Sequence, residues 1–257
     1  MTSDLTAGRF ARFYAPLAAT SLLLTATNPI LAAALARTPA PANSLAGYSV
    51  AFALTGVLYS PLLVIQQVAA NRLLRGGDLE PVRRFAMAVG LVFSFLGAAV
   101  AFSPVGLWVF QDLVGVTGAI LEEARSAMAL LWPAPFLTGL RALHQGRLVA
   151  GHRTHPIAVA TGARTGVLGL VAFSLTLFPA GAWLGAAAFT AGLLVETLMV
   201  GVSSAPRLVP PAGSAAEDGP IILFSTPLML NVLLWWSTPL VLAAVLARTP
   251  EPDCALA

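Results

Sequence analysis

The sequence is poor in the groups that make a protein soluble. It has no lysine, one cysteine (Cys254) and three histidines, and only 10% of its 257 residues are charged. An ordinary soluble domain carries about 25% charged residues, so a water-facing surface cannot be assembled from this supply. One cysteine excludes a disulfide scaffold. The scarcity of charge also argues against a disordered tail and a nucleic-acid binder, and no nucleic-acid partner is expected. All 14 basic residues are arginine and the net charge is +3, so where the arginines lie matters more than their sum. The enzyme signatures are missing too. There is no H-E-x-x-H helix, no G-x-S-x-G turn, no Walker loop and no cysteine pair. The expectation is a protein without catalytic residues and without a bound metal.

What is abundant is apolar length: 58% of residues are hydrophobic and the mean hydropathy is +0.84. A helix needs about 20 apolar residues to cross the hydrocarbon. Seven stretches meet that length: Phe13–Ala36, Leu45–Ala70, Phe85–Phe110, Ser126–Gly146, Ile157–Phe178, Trp183–Val202 and Ile221–Ala247. No period-2 alternation suggests a barrel, so the fold class is an all-α, polytopic transmembrane helical bundle. Pro61, Pro104, Pro133 and Pro135 are expected to break the second, third and fourth of these helices.

Arginine sets the orientation. Arg9 and Arg12 precede the first helix, Arg72, Arg75, Arg83 and Arg84 fill the second connection, Arg147 and Arg153 with His152 and His155 the fourth, and Arg207 the sixth. The odd connections hold Arg37, then Asp112, Glu122, Glu123 and Arg125, then the uncharged turn Pro179–Ala182. The N-terminus is therefore expected in the cytoplasm, with no cleavable signal peptide. The protein is placed in a bacterial-type inner membrane with lipid as its immediate partner.

The chain also repeats itself. Phe13–Ala46 aligns without gaps on Phe224–Ala257 at an offset of 211 residues, with 17 of 34 positions identical. The match extends into a polar loop, Leu35-Ala36-Arg37-Thr38-Pro39 against Leu246-Ala247-Arg248-Thr249-Pro250. Convergence of two greasy helices does not explain that loop. The repeat holds six helices, an even number, so both copies enter from the same side as parallel repeats. Three regions follow: a six-helix lobe over 1–204, a linker over 205–219, and the first helix of a second lobe over 220–257. The expected parent has about 12 helices, and the missing C-terminal lobe, from the same parent chain or a second copy, is an expected partner.

Several strings in order carry a resemblance: Phe13-Tyr14-Ala15-Pro16-Leu17-Ala18-Ala19-Thr20, Asn28-Pro29-Ile30-Leu31-Ala32-Ala33, Ala36-Arg37, Asn43-Ser44-Leu45-Ala46-Gly47-Tyr48, Val50-Ala51-Phe52-Ala53 and Arg141-Ala142-Leu143-His144-Gln145-Gly146. Over Phe13 to about Arg164 the chain resembles the multidrug and toxic compound extrusion (MATE) transporters of the multidrug/oligosaccharidyl-lipid/polysaccharide (MOP) flippase superfamily, and within them bacterial relatives of the progressive ankylosis transporter. The resemblance implies two six-helix lobes that export a small organic substrate by rocking, with Na+ or H+ as coupling ion and no other cofactor. Several such exporters place an aspartate in the first helix, and ankylosis-like members a glutamate just before its central proline. Here the corresponding run is Thr27-Asn28-Pro29, with no carboxylate between Asp4 and Asp78, so that coupling residue is not transferred. Alternatives within reach are a flippase for a lipid-linked saccharide and a non-transporting remnant.

Ionisable groups at membrane depth are costly and usually functional. Arg164 lies 16 residues before Ala180 and Glu196 lies 16 after it, so both sit about 24 Å from the intervening turn at 1.5 Å per residue. They are placed to form an ion pair that either locks a hairpin or tunes a protonation or cation site at Glu196. Arg141, His144 and Gln145 share one helix face and are read either as a gate or anion site, or as an anchor for lipid headgroups. Asn28 and Pro29 are expected to kink the first helix and line a cavity. Gln66 and Gln67 are expected to make interhelical hydrogen bonds, and Asn231 is a further neutral polar candidate on the pathway.

Overall fold

A computed structural model describes residues 7–204 and 221–248, with side chains from 18 onward except those of 19 and 221–224. The linker 205–219 with its Arg207, the end of the repeat over 249–257, and the side chains of Arg9 and Arg12 lie outside the described residues.

Helices account for the fold, and among the described residues there is no strand. In chain order they are α1 (Ala7–Leu35), α2 (Pro41–Leu63), α3 (Ile65–Leu74), α4 (Glu80–Phe102), α5 (Val105–Leu107), a π-helical segment (Trp108–Val114), α6 (Gly118–Leu131), α7 (Ala134–Ala150), α8 (His155–Leu175), α9 (Trp183–Ser203) and α10 (Ile221–Leu246). Proline sets four of the starts. Pro41, Pro81, Pro135 and Pro156 occupy the first turn of α2, α4, α7 and α8, where the missing N–H would have had no partner.

Proline also accounts for the differences from the expected spans. Three residues after Pro61 the second span breaks at Val64, and α2 continues as α3. The third span ends at Phe102, because Ser103 and Pro104 stop α4; Phe110 belongs to the π-helical segment beyond. The fourth span is not one helix. Trp132 and Pro133 divide it into α6 and α7, of 14 and 17 residues, each short of a crossing alone. Glu122, Glu123 and Arg125, taken from the sequence as part of a connection, lie inside α6, and Asp112 lies inside the π-helical segment. Five stretches of described helix are long and apolar enough to cross a membrane: Pro41–Leu74, Glu80–Phe102, His155–Leu175, Trp183–Ser203 and Ser225–Leu246.

The main core unites α1, α2, α6, α8 and α9 around Leu31, Leu35, Val50, Phe110, Met128, Leu131, Leu168, Leu184 and Leu193. A second cluster joins α2, α3, α4 and α7 through Leu62, Ile65, Val68, Val82 and Leu143. The outer surface is apolar. Phe95, Leu170, Leu177 and Val202 are each at least 70% exposed. Such a skin is stable against lipid, not water, and the chain is built as an integral membrane protein.

The two copies of the repeat dock differently. α1 packs chiefly on α8, whereas α10 packs on α2 and touches the π-helical segment. Trp236 holds α10 in place: its ring lies against Gly56 and edge-on to Tyr59, with centroids 5.1 Å apart. Most of the α10 flank is bare, including Leu234, Trp235, Val241 and Val245. One local device is shared. Arg37 donates to the Ala33 carbonyl four residues back, and Arg248 donates to the equivalent Ala244. Arg37 then covers the Phe173 ring, while Arg248 reaches the carbonyls of Leu113 and Val114. Van der Waals contact, not the hydrophobic effect, drives helix association in lipid. Trp236→Ala is therefore expected to cost about 1–2 kcal/mol, visible as easier unfolding in a detergent titration and as greater mobility of a spin label on α10.

Candidate functional site

The centre of the helical bundle is a buried carboxylate. Glu196, on α9, has no solvent exposure. Its Oε1 accepts from Arg141 Nη1 at 3.2 Å, Gln145 Nε2 at 3.1 Å and Thr161 Oγ1 at 3.1 Å. Its Oε2 accepts from Arg164 Nη1 at 2.9 Å and again from Arg141 Nη1 at 3.1 Å. Donors from α7 and α8 thus converge on one residue of α9.

The local sequence explains the convergence. Arg141 and Gln145 are four residues apart on α7 and Thr161 and Arg164 three apart on α8, so each pair presents both donors on one face. Gly192, one turn before Glu196, lets α9 approach α8 closely: a Cβ there would come within 2.9 Å of the Arg164 carbonyl. The Arg164 guanidinium also lies over the Phe189 ring, 5.0 Å from its centroid. A ladder of aromatic contacts runs from Phe189 through Phe52 to Tyr48.

Two arginines face one carboxylate, so the cluster carries an excess positive charge. The buried Nε atoms of both arginines have no hydrogen-bond partner among the described residues. A carboxylate offers about four lone-pair positions, and five donor contacts already crowd them. Four donor groups, Arg141 Nη1, Gln145 Nε2, Thr161 Oγ1 and Arg164 Nη1, make these contacts.

The expected Arg164–Glu196 pair is present, but as part of a larger set. The headgroup-anchor reading of Arg141 and Gln145 is overturned: both side chains point inward, Gln145 is 6% exposed, and both are spent on Glu196. His144 on the adjoining turn instead meets Ser204 Oγ through Nδ1 at 2.7 Å. Gln66 and Gln67 make no side-chain hydrogen bond among the described residues, because Gln67 faces outward and Gln66 is only half-buried. α1 is helical through Asn28 and Pro29, and both residues are exposed; Asn231 is exposed on α10. None of these three joins the Glu196 cluster. Thr161 was missed as a partner; its signal was the spacing from Arg164 on the same face. His152, Arg153 and His155 are exposed, and no group of three or more metal-ligating side chains occurs among the described residues.

This all-α bundle, with a charge cluster buried in it, is similar in fold to part of the MATE and other MOP-superfamily transporters. It superposes on a MOP-superfamily transporter from Pyrococcus furiosus Vc1 (DSM3638), whose binding pocket is described as having reverse polarity that suggests a different function. The TM-score is 0.55 at 14% identity, over 92% of this chain and 52% of that one. It also superposes on the outward-facing conformation of a multidrug resistance MATE family transporter, with a TM-score of 0.63 at 16% identity, over 92% of this chain and 54% of that one. The chain thus spans about half the length of the solved structures it matches. No protein-family description matches the sequence, and no curated protein matches it.

Proposed function

We propose that the chain forms the first lobe of a MATE-like secondary active transporter of the ankylosis-like kind, exporting small organic solutes from the cytoplasm, with its N-terminus inside. The reading rests on the Glu196 cluster within a MATE fold. Burying three ionised side chains costs several kcal/mol, and charges kept at that cost within a membrane protein mark function by default. The cluster ties α7, α8 and α9 into one body, and a rocking mechanism needs such rigid bodies. The bare flank of α10 and the 211-residue repeat support a second, parallel lobe packed on this side, from the same parent chain or a second copy. The coupling ion in this reading is Na+ or H+.

Liposomes containing the chain at a density that lets two copies pair, and loaded separately with ethidium or carboxyfluorescein, test the proposal under imposed Na+ and proton gradients. Gradient-driven loss of either dye is expected, with at least a tenfold lower rate in Glu196→Gln at equal insertion. Dye movement that answers to neither gradient would refute the coupling. An undiminished rate in Glu196→Gln would remove the cluster from the mechanism.

A further inference from the structure

We propose that a cavity at the opposite end of the lobe from the arginine-rich connections binds a small organic ammonium ion that still carries N–H. The proposal is independent of the Glu196 reading. The cavity, of about 440 Å³, lies between the start of α2, the first turns of α6 and the turn that leads into α9. That volume suits a small organic molecule and is far larger than a bare metal ion requires.

Its charge is of one sign. Glu122 and Glu123 both line it, no arginine does, and neither carboxylate has an ion-pair partner among the described residues. Arg125, two residues further along α6, lies outside the lining and pairs with neither.

Glu123 is also held in position. α2 passes close beneath it at Gly47, where any Cβ would overlap the Glu123 side chain. Its carboxylate sits over Gly181, where a Cβ would again collide. Glu123 Oε2 accepts the Ala182 N–H at 2.5 Å, at the N-terminus of α9. One oxygen is thereby fixed, and Oε1 has no hydrogen-bond partner among the described residues. A surface glutamate on a long, free side chain would have none of these constraints.

The observation pointing to a ligand is Ser44. It lines the cavity, is 1% exposed, and its Oγ has no hydrogen-bond partner among the described residues. A buried hydroxyl without a partner is costly, and a bound N–H donor would relieve that cost. Trp183 adds an aromatic wall able to face a cation. An alkylammonium ion fits this set. It would give one N–H to Glu123 Oε1 and one to Ser44 Oγ, lie in the field of Glu122, and set its apolar part against Trp183. A divalent metal fits less well, since the described residues offer no group of three ligating side chains.

The test uses the full chain in detergent, with benzylamine as probe and benzyl alcohol as its neutral counterpart, followed by equilibrium dialysis at pH 7. Saturable binding of benzylamine is expected, with benzyl alcohol at least tenfold weaker. Glu123→Gln keeps an oxygen for the Ala182 N–H and so preserves the fold; with Glu122→Gln it should weaken benzylamine at least tenfold. Ser44→Ala should weaken it about threefold, and Glu80→Gln, at a carboxylate paired with Arg83 and Arg84 in the arginine-rich region, should leave it unchanged. Equal binding of the two probes, no saturable binding, or undiminished binding in the double glutamine variant would overturn the proposal. An equal loss of binding in Glu80→Gln would also overturn it, by removing the tie to this cavity.

Discussion

Glu196→Ala is expected to lower the unfolding free energy of the protein by about 3–5 kcal/mol, because it strands two buried guanidinium groups. Five hydrogen-bond contacts end on this carboxylate, and no other carboxylate pairs with Arg141 or Arg164 among the described residues. Total stabilities of about 5–15 kcal/mol leave little after such a loss. Detergent-driven unfolding followed by tryptophan fluorescence measures it. A second variant separates structure from function: Arg141→Met, Arg164→Leu and Glu196→Leu together remove the charges as a set. That variant should recover most of the lost stability, since well-packed apolar groups often match a buried ion pair. If stability returns while transport does not, the charges serve the transport cycle and not the fold. A cost under about 1 kcal/mol for Glu196→Ala would show that the arginines find other partners.

Gly192→Val is expected to cost about 3 kcal/mol and to weaken the ion pair at the same time. The added Cβ would lie 2.9 Å from the Arg164 carbonyl and 3.1 Å from its Cγ, and 3.3 Å from Leu168. A backbone carbonyl inside a helix cannot yield as a flexible side chain does, so α9 must move away from α8. Overpacking of this kind costs about 1–3 kcal/mol before any loss of the Arg164–Glu196 contact is counted. Gly192→Ala carries the same first clash with less bulk and should fall midway. The measurement is the same unfolding titration, paired with the mobility of a spin label on α9. A Gly192→Val variant as stable as the wild type would mean that the two helices are not in this close register.

The helical bundle was legible because apolar length is an additive property of sequence, and the membrane enforces it. The breaks were half legible. Pro61 and Pro133 announced interruptions, but which residue would end the helix depended on neighbouring turns: Val64 in one case, Trp132 in the other. Arg164 and Glu196 were matched by counting outward from one turn. The same count about the turn between α7 and α8 sets Arg141 level with Arg164, each about 17 Å away. Applied to both turns, it would have brought Arg141 into the cluster. What no count supplies is rotation about the helix axis, which decides whether a residue faces lipid or a neighbour. Gln67 and Arg141 looked alike in sequence and ended on opposite faces for that reason. The outer cavity was illegible on similar grounds, since Ser44, Glu123 and Gly181 come from three separate segments.

The order of the chain imposes a sequence on biogenesis. Arg141 and Arg164 leave the ribosome before Glu196, which follows Arg164 by 32 residues. Until α9 emerges, α7 and α8 each bring an unneutralised arginine to the translocon, at about 2.5–3.5 kcal/mol apiece for central positions. Neither helix is suited to partition into lipid by itself at that stage. The three should be retained beside the insertion machinery and released laterally together, once the acidic helix arrives to discharge them.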